Sequence, residues 1–109
     1  MTLNERIADA ISKAITVTEM MASMDVEILV IGSLAEGRFQ EHSDLDFLVR
    51  RCPRNLIYAI EGKIEDIVHP FKFDVIYENE IPAHRLDRFS RHAIDARELA
   101  IRDQTTLGR

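Results

Sequence analysis

The 109 residues predict a single small α/β (α+β) domain, in which a small mixed β-sheet of three or four strands is flanked by helices. Three observations carry this. Stretches with apolar residues at three- and four-residue steps alternate with short β-branched runs, in the order α-β-β-α-β-α. Pro53 and Pro70 stand where such elements begin and end. The length suits one domain, and 46% hydrophobic residues suffice for one core.

Leu3, Ile7, Ile11, Ala14, Ile15, Thr18 and Met21 form one helical stripe, so residues 2–22 are expected as an amphipathic helix capped by Thr2 or Asn4. Val26 to Ile31 is short, β-branched and mostly apolar, a buried strand that ends at Gly32-Ser33. Residues 37–43 are a polar loop. Asp44 to Arg50 alternates as a second strand, with Leu45, Phe47 and Val49 toward the core. Pro53 opens a helix whose face is Leu56, Ile57, Ile60, Ile64, Ile67 and Val68, with Gly62 its weak point, and Pro70 stops it. Phe71 to Tyr77 is the third strand and residues 78–82 a turn. From Ala83 to about residue 100 the pattern is helical, but the spacing slips near Ala93, so one bent helix and two short ones fit equally.

One cysteine excludes a disulfide framework and requires no oxidising compartment. No apolar run reaches the ~20 residues of a membrane span, and Met1 to Arg6 does not read as a signal peptide, so a cytoplasmic protein is expected. The net charge of −5 argues against wrapping long nucleic acid but not against binding one nucleotide through metal ions.

The chemistry gathers on three carboxylates. Asp44 and Asp46, two apart on a strand, share a face. Asp74 lies in an aromatic, β-branched strand where aspartate is disfavoured. If the two strands are neighbours, the three converge, and their repulsion is relieved by a hard cation such as Mg²⁺. Three carboxylates are a ligand set for two ions flanking a transferred phosphoryl group. The plainer reading makes Ser43-Asp44 a turn and pairs Asp74 with Arg50 or Lys72. Gly32 lets a phosphate approach the backbone closely, and Ser33 adds a hydroxyl.

An apolar strand, Gly32-Ser33, a ten-residue loop, Asp44-x-Asp46 and then Asp74 in a third strand resemble the polymerase-β-like nucleotidyltransferase signature. Residues 31–49 look like its minimal nucleotidyltransferase (MNT) branch, and the resemblance covers roughly residues 25–80 of the single domain 1–109. It implies that Gly32 and Ser33 hold nucleotide phosphates. Asp44 and Asp46 would bind two Mg²⁺ ions, and Asp74 would bind one and help deprotonate an acceptor hydroxyl. The implied reaction moves a nucleoside monophosphate, AMP from ATP, onto that hydroxyl. Many members of this branch are antitoxins that attach AMP to a tyrosine of a HEPN toxin, so a HEPN partner is implied here.

One position departs from the pattern. Many relatives carry arginine where this chain has Glu36. Ser33 to Glu36 reads as a capping box, which makes Glu36 structural but also draws on the Ser33 hydroxyl. Arg38 is the candidate for the missing positive charge, with a solvated loop arginine as the competing reading. Arg85, Arg88 and Arg91 recur every three residues as a basic stripe for a partner or the nucleotide base, with a solvated helix face as the favoured reading. Cys52 follows two arginines that would activate its thiol, against an idle one; His69, His84 and His92 lack metal-ligand spacing, and His42 beside Ser43 and Asp44 is a candidate to line the site, with an exposed loop histidine as the simpler reading. Two other functions compete with the antitoxin enzyme. One is a catalytically weak module that silences a HEPN partner sterically. The other is a small-molecule nucleotidyltransferase, for which a homo-oligomer would complete the pocket.

Overall fold

The computed structural model describes residues 1–107, with side chains through Arg102. Helix α1 (Leu3–Ser23) leads to strand β1 (Glu27–Ile31), a single helical turn α2 (Gly32–Ala35) and strand β2 (Leu45–Arg51). Helix α3 (Ile60–Val68), strand β3 (Phe73–Tyr77), helix α4 (Leu86–Ser90) and helix α5 (Ala96–Leu107) complete the chain, with short 3₁₀ turns at Arg54–Leu56, Glu78–Glu80 and Ala83–Arg85.

The sheet has the order β1-β2-β3, with β1 antiparallel and β3 parallel to β2. The parallel pair needs a crossover, and α3 supplies it. There is no fourth strand among the described residues. Instead Ile94 makes a one-residue bridge on the free edge of β1, exchanging bonds of 2.8 and 3.0 Å with Val30. That bridge decides the question left open near Ala93: the chain leaves α4, pairs once with β1 and restarts as α5.

One sheet face carries Ile28 and Val30, then Leu45, Phe47 and Val49, then Tyr77, and it packs against Ala10, Ala14, Val17 and Met21 of α1. Ile60, Ile64 and Val68 of α3 and Leu99 of α5 close the same core. Thr18, buried in this layer, donates its hydroxyl to the Ala14 carbonyl at 2.8 Å and leaves no polar atom stranded. Thr2 caps α1 in a reciprocal box with Glu5, whose carboxyl is held below its usual pKa by the two bonds to Thr2.

The helix expected from Pro53 begins late. A 3₁₀ turn follows Pro53, the chain extends at Ile57, and Tyr58 takes a positive φ of 67° before α3 starts at Ile60. The Tyr58 amide donates to the Tyr77 hydroxyl at 3.1 Å, which in turn donates to Glu61 at 2.6 Å. This tether to β3 replaces the first expected turn of helix. Among the described residues no helix is long and apolar enough to cross a membrane.

Candidate active site

The register of the sheet sets out the site. Ile31 pairs with Asp46, and Asp46 pairs with Asp74, so one row across three strands ends with two carboxylates side by side. Directly opposed residues project to the same face, and that face is opposite the α1 core. Asp44 immediately precedes β2, and its charge reaches Asp46. Asp46 and Asp74 are thus neighbours in the sheet, whereas Asp44, expected on the strand with Asp46, lies one residue outside it.

Gly32 follows Ile31 with φ of 75°, in the left-handed region. A Cβ there would overlap the Asp46 carboxylate oxygen and stand 3.1 Å from its Cγ. The Asp46 carboxylate thus lies directly against the backbone of the Gly-Ser turn. The expected capping box at Ser33 does not form. The helical turn starts two residues earlier, Ile31 is its N-cap without a side-chain bond, and Ser33 falls inside it. Glu36 ends the turn and accepts a bond from Arg38 Nε at 3.2 Å.

Asp46 titrates at about 6, raised by burial first and then by the charges of Asp74 and Asp44, against a smaller opposing effect of Arg38. Among the described residues no three His, Cys, Asp or Glu side chains form a ready-made metal group. The donor set nevertheless fits a hard divalent cation. The carboxylates offer oxygen ligands, and their mutual repulsion at Asp46 is what a cation relieves.

Two clefts flank the carboxylates. One, of about 300 Å³, is lined by Gly32, Glu36 and Asp46 on one side and by Arg88, Phe89 and His92 on the other. The second, a more open groove of about 440 Å³, holds Asp44 and Asp74 with Glu65, His69 and Lys72. Arg38 lines neither of these clefts; its exposed guanidinium is held by Glu36. Phe89 and His92 were not evident as site residues in the sequence, and Arg88 was evident only as one member of a basic stripe open to a partner or the nucleotide base. Positions 88 and 92 do share a helical face, but the slip in spacing at Ala93 hides which way that face turns.

The segment entering Asp44 is clamped from α1. Arg6 Nη2 donates to the Ser43 carbonyl at 3.1 Å, and its guanidinium lies 4.6 Å from the Phe71 ring and 5.5 Å from Phe39. Ser43 Oγ also accepts from the Gln40 amide at 2.8 Å. Nothing in the spacing of the sequence marks Arg6 for this task. Arg50 pairs with Glu78 rather than with Asp74. Cys52 is not activated by the arginines before it, because burial pushes its thiol up.

The geometry is therefore a mixed sheet with a Gly-Ser turn after one strand and acidic side chains at the next two. The chain belongs to the nucleotidyltransferase domain family, whose sequence pattern matches residues 11–100. No curated protein matches the chain significantly. Its general activity is nucleotidyl transfer, for which the family typically uses a nucleoside triphosphate and a divalent metal.

Proposed function

We propose that this domain moves AMP from ATP onto a hydroxyl, with two Mg²⁺ ions held by Asp44, Asp46 and Asp74. The acceptor is a tyrosine of a HEPN toxin, which makes the chain an antitoxin. The observation that carries the reading is the contact of Asp46 with the Gly32 backbone, with Asp74 in register beside it. Gly32 and Ser33 hold the phosphate chain of the nucleotide at that contact. Asp44, Asp46 and Asp74 are the residues that would hold the ions. When bound, the ions neutralise charge around the α-phosphorus and activate the attacking oxygen. The acceptor oxygen forms a bond to the α-phosphorus, the bridge to the β-phosphate breaks, and pyrophosphate leaves. Asp74, exposed at the open groove, takes the hydroxyl proton.

Glu36 favours a second reading, in which the domain blocks its partner without chemistry, because a carboxylate lining the cleft opposes a triphosphate. Transfer of label from ATP carrying radioactive α-phosphate, in host lysate with Mg²⁺, separates the two. The enzyme labels a protein band with wild type and not with Asp46→Asn, and the band identifies the acceptor. Folded wild type that labels nothing with the HEPN partner present overturns the enzymatic reading in favour of the steric one.

A further inference from the structure

We propose that Arg88 is the cationic contact for the nucleotide's phosphate chain, an inference that rests on the nucleotidyl-transfer reading above. Three observations converge. Arg88 lines the cleft that contains Gly32 and Asp46, on the wall opposite them. The two other members of its basic stripe are otherwise placed: Arg91 is paired with Asp87 at 2.6 Å, and Arg85 does not line the cleft. Arg38, the loop arginine nearest in sequence to the Gly-Ser turn, is engaged by Glu36.

Arg88 itself makes no ion pair among the described residues, although Asp46 and Glu36 line the same cleft. It is an exposed cation on a cleft whose other ionisable side chains are Glu36, Asp46 and His92. A guanidinium suits this task because its planar donors match phosphate oxygens in pairs. The neighbouring surfaces divide the ligand between them. Ile31, Ile76 and Phe89 form an apolar wall for a base or ribose, while Gly32, Asp46 and Arg88 enclose the charged end. Position 88 therefore supplies, from α4, the positive charge that Glu36 removes from the loop.

The test is calorimetric titration of ATP, ADP and AMP into the intact chain with Mg²⁺, for wild type, Arg88→Ala, Arg88→Lys and Arg38→Ala. Loss of one charge-assisted contact should weaken ATP binding roughly tenfold or more in Arg88→Ala. The loss should shrink from ATP to ADP to AMP, and Arg88→Lys, which keeps the charge but not the paired donors, should recover only part of it. Arg38→Ala should bind ATP more tightly than Arg88→Ala does. Thermal melting checks that each variant folds. Unchanged ATP affinity in Arg88→Ala, or an equal loss for all three nucleotides, overturns the inference and leaves the nucleotidyl-transfer reading standing. Wild type that binds none of the three overturns both.

Discussion

Gly32 and Gly37 have the same φ of 75° but different surroundings. At Gly32 an added Cβ meets the Asp46 carboxylate, whereas at Gly37 nothing lies within 4 Å of it. The pair therefore separates backbone strain from damage to the site. An L side chain in the left-handed region costs roughly 1–2 kcal/mol, so Gly37→Ala should lose about that much stability in chemical denaturation and Gly32→Ala at least as much. Only Gly32→Ala should also displace Asp46, and with it nucleotidyl transfer. Equal activity in the two variants would show that the close approach of Asp46 to the turn is not needed for the reaction. Neither effect can be read from the letters Gly-Ser alone; it takes the register Ile31 to Asp46 to bring the carboxylate to the turn.

The helices show where local pattern suffices and where it fails. Gly62 lies inside α3, is exposed, and would carry a Cβ with nothing within 4 Å. Its replacement by alanine removes backbone freedom from the unfolded chain without crowding the folded one. Gly62→Ala should raise stability by about 0.5–1 kcal/mol in denaturant titration and leave nucleotide binding unchanged. A loss of stability would mean that α3 needs this glycine. The weak point was legible because it depends only on sequence position within a helix. Strands β1, β2 and β3 were legible for the same reason, since alternation and β-branching are local, and Asp46 and Asp74 stood out as acids in strands. The start of α3 was not. It is set by Tyr58 bonding to Tyr77, 19 residues away, and no periodicity of Leu56, Ile57 and Ile60 encodes that contact. The same holds for Arg6 reaching Ser43 across 37 residues, and for Ile94 pairing with Val30 where the helical spacing slips. The capping box failed for a local reason: Gly32, able to adopt a positive φ, starts the helical turn before Ser33 can cap it.

Across the whole molecule the site opposes the fold. A chain of net charge −5 concentrates three carboxylates around one sheet face, and Asp46 there titrates at about 6 instead of 3.8. Between those two values the folded state binds more protons at this position than the unfolded state. Its contribution to stability is therefore greatest below pH 3.8 and falls as pH rises toward 6. Glu5 and Asp95 act in the opposite direction: bonds to Thr2 and Arg97 hold their pKa values down, so their contributions disappear as pH falls. The total pH profile mixes both signs, but the difference between wild type and Asp46→Asn isolates one. Without divalent ions, Asp46→Asn should gain on wild type as pH rises from 4 to 7. The gain should be on the order of 1 kcal/mol, since Asp46 is only half-buried and solvent screens part of its repulsion. Saturating Mg²⁺ should then reverse the order at pH 7, because an ion bound only by the folded wild type stabilises it by mass action. Melting curves at pH 4 and 7, each with and without Mg²⁺, give all four values. A difference that does not change with pH would remove the repulsion at Asp46. A difference that changes with pH but not with Mg²⁺ would keep the repulsion and deny the carboxylates their ions. The two results together would show that the fold accepts a destabilised acidic row because the ligand compensates for it.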